Sequence, residues 1–161
     1  MKDNKSKKKI EEIELFPRKF GKTALILKSD SKLFPKDGYL VFELAPKAMV
    51  VVFAVTKGKR VVVVRQYRHA ANKYFIETPG GLSEPNESFE ETARRELQEE
   101  TGFIPAHMIQ LTGHPVWFDP ASVRTPFWPF LALGCRDSKM RRLPDEKYKV
   151  LTYSLSSWIK L

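Results

Sequence analysis

The chain has 161 residues, with 28 Lys and Arg against 19 Asp and Glu and a formal net charge of +9. That length is one domain with room for a core, and no apolar run reaches membrane-spanning length. The single cysteine, Cys135, excludes an internal disulfide, and the lysine-rich start lacks the apolar stretch of a secretory leader, so a cytoplasmic setting is expected. The positive balance attracts polyanions, nucleic acid and phosphate-bearing small molecules alike.

Residues 1–9 carry Lys2, Lys5, Lys7, Lys8 and Lys9 and read as a disordered basic head. Residues 10–161 read as a single domain, with early strands in 10–45 and a core in 46–161. Ile10 to Phe20 mixes apolar and charged residues, with Pro17 as a breaker. Thr23 to Leu27 and Tyr39 to Leu44 are predicted as short strands, enough for a small antiparallel sheet ahead of the core. Ala48 to Val55 and Arg60 to Val64 are near-continuous apolar runs around Thr56-Lys57-Gly58-Lys59, the pattern of a buried hairpin. On a continuing strand Arg65 and Arg68 face opposite sides, so only one of them enters a site on either face. Tyr74 to Glu77 gives another strand and leads into Thr78-Pro79-Gly80-Gly81, where two glycines permit close backbone approach to a ligand.

The stretch from Gly81 to Phe103 holds the strongest signal: Gly81, Glu87, Arg95, Glu96, Leu97, Glu99, Glu100, Gly102 and Phe103 at fixed spacing. Chance brings these together at roughly one start point in a billion, so the pattern needs a cause. Ser88-Phe89-Glu90-Glu91 is a capping box, and Gly102 is the expected helix stop. Phe89, Ala93 and Leu97 make one apolar stripe. Glu96, Glu99 and Glu100 crowd a neighbouring face near the helix C-terminus, where acids are disfavoured. A solvated acidic face paired with Arg94 and Arg95 is the plain explanation. Hard oxygen ligands for Mg²⁺ or Mn²⁺ are the functional one, and the whole pattern favours it.

Past this helix, Ile109 to Thr112 and Phe127 to Leu133 read as strands around a long loop, residues 113–126. Long loops inside compact domains are often functional. Its Trp117 and Phe118 are candidates either for stacking on a nucleobase or for loop packing. Pro144-Asp145-Glu146 precede a last strand, Tyr148 to Tyr153. Ser156 to Leu161 then begins a capped amphipathic helix of barely one turn.

Residues Gly81 to Phe103 resemble the Nudix box, with every invariant position matched. The resemblance implies an α+β fold: an α/β/α sandwich around a mixed sheet, here preceded by the small N-terminal antiparallel sheet. It implies hydrolysis of nucleoside diphosphates linked to another moiety, with a divalent cation, Mg²⁺ or Mn²⁺, held by Glu96, Glu99 and Glu100. Gly81, Glu87, Arg95 and Gly102 would be structural. Arg65-Gln66-Tyr67-Arg68 and Glu77-Thr78-Pro79-Gly80-Gly81-Leu82 are similar to segments of ADP-ribose and nucleoside-diphosphate-sugar pyrophosphatases within that group. By that likeness Gly80, where alanine is usual, offers its carbonyl to the metal. Arg68, Glu77, Leu82 and Asp119 contact substrate, and Arg65 is structural. Val123 stands where some members carry a glutamate, which leaves the sugar preference open. Related enzymes supply a glutamate from the loop before the final strand. This adds Glu146 to Glu99 and Glu100 as catalytic carboxylates, with Asp145 and Asp119 as alternatives. The expected reaction is hydrolysis of ADP-ribose or a nucleotide-sugar to a nucleoside monophosphate and a sugar phosphate, by a homodimer with no membrane partner. Dinucleoside polyphosphates or RNA caps are the alternative substrates, and a non-catalytic nucleotide- or nucleic-acid-binding module is the alternative role.

Overall fold

A computed structural model describes residues 10–18, 21–28, 39–44, 48–140 and 148–160; the basic head, Asp145 and Glu146 lie outside the described residues. The chain opens with β1 (Ile10–Arg18), β2 (Gly21–Lys28) and β3 (Tyr39–Leu44), an antiparallel sheet in that order. The strand β1 is absent from the sequence reading, which takes Pro17 as a breaker. Pro17 instead pairs with Lys22, just past a register slip between Glu14 and Phe16. An edge strand accepts proline because its outer side needs no donor.

The larger sheet grows from β4 (Met49–Thr56) and β5 (Arg60–Arg68), a hairpin closed by a turn in which Lys59 takes φ 56°. There follow β6 (Lys73–Glu77), β7 (Gly80–Leu82), α1 (Phe89–Thr101), β8 (Phe103–Ile104), β9 (His107–Gln110), β10 (Phe127–Asp137), β11 (Tyr148–Ser154) and α2 (Leu155–Trp158). The strand order is β11-β5-β4-β10-β8, with β6 on β5, β7 on β4 and β9 on β10. Since β4 and β10 run parallel and β4 and β5 antiparallel, the sheet is mixed. The hairpin strands pair only at Ala54–Val62 and Val55–Val61 before they part, β4 turning to β7 and β5 to β6. That fork opens the space in which the site lies.

Alternation along β4 sends Val50, Val52 and Ala54 to one face, where they meet Val62, Phe130, Ala132 and, from α1, Ala93 and Leu97. All are fully buried or nearly so. Phe89 completes the helix stripe by stacking on Trp128, centroids 4.6 Å apart. Truncating Leu97 to alanine would cost about 2–5 kcal/mol. The other face carries Phe53, against which Trp158 of α2 leans. Val61, Val62, Val63 and Val64 are all buried, as a strand covered on both sides requires. The strand β10 runs four residues beyond its expected end at Leu133. Gly134 takes φ 65° at a register slip between Leu133 and Cys135, so it makes a bulge and does not stop the strand. Among the described residues no helix is long and apolar enough to cross a membrane.

Candidate active site

The site is organised by α1, whose two ends are set locally. Ser88 Oγ accepts from the Glu91 amide at 3.3 Å, and Glu91 Oε2 accepts from the Ser88 amide at 2.9 Å. The Ser88 hydroxyl, which also donates to Glu91 Oε2 at 2.6 Å, and next the Ser88 amide hold the Glu91 carboxyl below its ordinary value. At the other end Gly102 adopts φ 75° and its N–H bonds the Gln98 carbonyl at 2.8 Å. The last turn contains no basic residue, so Glu99 and Glu100 stand at the negative end of the helix.

Arg95 ties the acidic face together. Its Nε and Nη2 bond the two oxygens of Glu87 at 2.9 and 3.0 Å. Nη1 reaches Glu96 Oε1 at 2.8 Å and Glu99 Oε2 at 3.3 Å, and Nη2 also donates to the Leu82 carbonyl at 2.9 Å. One guanidinium therefore links α1 to β7 and to the loop between them. Such a fork needs arginine's planar donors, which a lysine lacks. The Arg95 bonds bring the Glu87 carboxyl down to about 2, against the opposing effect of burial, with the Glu84 amide and Thr92 hydroxyl helping. The same contacts with Glu87 push the Arg95 pKa up. Thr92 is wholly buried, a placement that its polar character hides in the sequence.

The two glycines of β7 receive the carboxylates. Glu100 Oε2 accepts from the Gly80 amide at 2.9 Å. A Cβ at Gly81 would fall 2.4 Å from the Glu96 carboxylate carbon, so glycine is what admits Glu96 there. A Cβ at Gly80 would fall 2.3 Å from the Val50 carbonyl oxygen of β4. Glu96 and Glu100 thus converge on consecutive residues of one short strand. Glu99 is turned further out, its side chain 48% exposed against 13% for Glu96. Among the described residues no three His, Cys, Asp or Glu side chains form a ready metal cluster. Internal donors, Arg95 and the Gly80 amide, occupy the carboxylates.

Beside Gly80 lies a cleft of about 490 Å³ lined by Met49, Val50, Val51, Arg68, Ile76, Glu77, Thr78, Gly80, Phe118 and Trp158. Arg68 and Glu77 meet across β5 and β6 in a two-bond ion pair, with Nε to Oε1 at 2.9 Å and Nη2 to Oε2. Arg65 points elsewhere, its guanidinium 3.7 Å from the centre of the Tyr74 ring. His69 sits in a 3-10 turn, edge-on to Tyr67 at 5.1 Å. Leu82 meets Arg95 through its carbonyl and is not part of the cleft lining. Asp119 closes a turn, Oδ1 accepting from the Ala121 amide at 3.1 Å, and it too lies off the lining. Of the loop aromatics Phe118 lines the cleft, whereas Trp117 does not. Met49, Val51, Ile76, Thr78 and Trp158 were not foreseen as lining residues. Apart from Thr78, which lies in the segment leading to the glycines, no motif surrounds them, and only the fork of the sheet brings them together.

The loop bearing Phe118 is also fastened from outside the larger sheet. Phe42 of β3 donates its N–H to the Ser122 carbonyl at 2.7 Å and accepts from the Arg124 amide at 2.8 Å. The N-terminal sheet is thereby joined to the rim of the site.

A capped helix with Glu96, Glu99 and Glu100 on one face, clamped by one arginine against a glycine strand beside an apolar cleft, is the arrangement built by the box residues. The NUDIX domain model matches residues 45–154, and the chain belongs to the Nudix family. It is 32% identical over 114 residues to the ADP-ribose pyrophosphatase of Bacillus subtilis, a match covering 70% of this chain and 60% of that one. It is 44% identical over 54 residues to the methanol dehydrogenase activator of Bacillus methanolicus, covering 34% and 29%. The matched stretch thus spans less than two thirds of either relative's length. Among solved structures, an ADP compounds hydrolase shares the fold with a TM-score of 0.73 at 17% identity, over 95% of this chain and 81% of that one. The α+β Nudix sandwich expected from the box is the fold found.

Proposed function

We propose that the protein is a divalent-metal-dependent pyrophosphohydrolase that cleaves the diphosphate bridge of ADP-ribose or a nucleotide-sugar to a nucleoside monophosphate and a sugar phosphate. The observation that carries this reading is the convergence of Glu96 and Glu100 on Gly81 and Gly80, at the edge of a cleft that also holds Arg68. The donor set fits a hard cation: carboxylates of Glu96, Glu99 and Glu100 and the Gly80 carbonyl, oxygen throughout. Mg²⁺ or Mn²⁺ bound there supplies charge neutralisation on phosphate oxygens and a more acidic water. The chain's own residues do the rest. Arg95 holds Glu96 and Glu99 in place and keeps their mutual repulsion in check. Arg68, oriented by Glu77, presents a guanidinium to the substrate. Glu146 is the proposed proton acceptor, with Asp145 and Asp119 next in order. The similarity to the Bacillus subtilis ADP-ribose pyrophosphatase supports the choice of substrate class.

A panel of ADP-ribose, nucleotide-sugars, dinucleoside polyphosphates and capped RNA, with products identified, tests the reading. Release of a nucleoside monophosphate and a sugar phosphate in the presence of Mg²⁺ or Mn²⁺ is expected. Glu96→Gln or Glu100→Gln should each lower turnover on the order of a hundredfold or more with the fold intact. No cleavage of any diphosphate by the wild type would end the proposal, and near-normal turnover in either folded variant would remove that glutamate from the ligand set.

A further inference from the structure

The cleft has an apolar part that diphosphate chemistry leaves unused. Two aromatic rings from distant stretches of chain line it, Phe118 in the loop before β10 and Trp158 at the end of α2. Each is backed by a second ring. Phe118 lies nearly flat on Phe127, centroids 4.1 Å apart and planes at 22°, yet remains 60% exposed. Trp158 leans on Phe53 of β4 at 6.1 Å and 55°. The cap of α2, Ser154 Oγ accepting from the Ser157 amide at 3.1 Å, fixes the residue just before Trp158. Rings braced in this way have little rotamer freedom left to lose when a ligand arrives.

Met49, Val51 and Ile76 make the neighbouring lining hydrocarbon. A sugar phosphate would lose hydration there without compensation. A heteroaromatic base instead buries its faces and keeps its polar edge for Thr78 and the Arg68–Glu77 pair. The volume is within the range of small-ligand sites and suits a nucleoside.

We propose that Trp158, together with Phe118, is the wall on which the substrate's nucleobase stacks, so that the short helix α2 sets the preference for the nucleoside half. This rests on the pyrophosphohydrolase reading, which puts the diphosphate at Gly80. The rest of the cleft then belongs to the base and its ribose.

The test uses full-length Trp158→Leu and Trp158→Phe, checked by thermal unfolding, with ADP-ribose turnover in Mg²⁺ and with AMP and ribose 5-phosphate as separate binding probes. In Trp158→Leu, KM for ADP-ribose and the dissociation constant for AMP should each rise about tenfold, the worth of one base on an aromatic ring. Turnover at saturation should change little, ribose 5-phosphate should bind as before, and Trp158→Phe should recover most of the loss. AMP should quench tryptophan emission in the wild type and do so less in Trp158→Phe, a readout that survives if the leucine variant fails to fold. Unchanged KM and AMP affinity in the folded variants would overturn the proposal. So would a loss confined to ribose 5-phosphate, which would give this part of the cleft to the sugar. A wild type that binds AMP through Trp158 but hydrolyses no diphosphate would defeat the enzymatic reading and leave the stacking wall standing.

Discussion

Replacing Glu87 by glutamine removes one charge from the clamp between α1 and β7, and its effect has a calculable pH dependence. The Glu87 carboxylate takes two bonds from Arg95 and one each from the Glu84 amide and the Thr92 hydroxyl. Its carboxyl falls from 4.5 to about 2, chiefly through Arg95. At about 1.4 kcal/mol for each tenfold change in proton affinity, that is on the order of 3 kcal/mol of folding stability at neutral pH. The side chain is only 15% exposed, so solvent screens little of it. Because the folded-state value lies below the unfolded one, the contribution is complete above 4.5 and drains away as pH falls through about 2. Urea unfolding of wild type and Glu87→Gln should therefore differ by about 2–3 kcal/mol near neutrality, and the two stabilities should converge as pH drops across that window. The same substitution at Glu91, whose capping-box carboxylate is exposed, should give a smaller gap. A Glu87→Gln deficit that stays constant down to about pH 2 would refute the argument, because the loss would then come from shape and not from charge.

The two glycines of β7 make a paired prediction. Gly81→Ala brings its Cβ against the end of the Glu96 side chain, which can swing aside, so the protein should fold while turnover drops about tenfold or more. Gly80→Ala meets backbone, the Val50 carbonyl, and should lower the melting temperature more than Gly81→Ala does; the reverse order would show that the strand can yield there. Glu146→Gln should lower kcat strongly with little change in KM, and unchanged kcat in both Glu146→Gln and Asp145→Asn would pass the base role to Asp119.

The box helix was legible in the sequence because its start and stop are written in side chains that act within a few residues: Ser88 and Glu91 at one end, Gly102 at the other. The β4–β5 hairpin and the small antiparallel sheet were legible for a similar reason, since apolar runs and turns are local signals. What failed was local chemistry overridden by context. Pro17 reads as a breaker and the strand from Phe127 is expected to end at Leu133, yet an edge position accommodates the proline and a bulge at Gly134 carries the strand on. In the site, helical spacing groups Glu96, Glu99 and Glu100 alike, and only the approach of β7 separates the inner pair from the outer residue. The cleft lay beyond sequence reasoning for the most part. Arg68, Glu77 and Phe118 were named, but Met49, Ile76 and Trp158 meet them only where β4 and β5 fork.

The attachment of the Phe118 loop to β3 bears on how such a site can change. Both bonds at Phe42 run between main-chain groups, so the anchorage does not depend on which side chains the loop carries. Proline is disfavoured at positions 42, 116, 121, 122, 123 and 124, where a main-chain N–H donates. Replacing the exposed Phe118 can alter what the loop presents to the cleft without breaking those bonds, whereas Thr125 is buried and Asp119 Oδ1 holds the Ala121 amide. What the loop shows to the cleft and how the loop is anchored are therefore separable at that position, and a set of Phe118 variants should yield folded proteins.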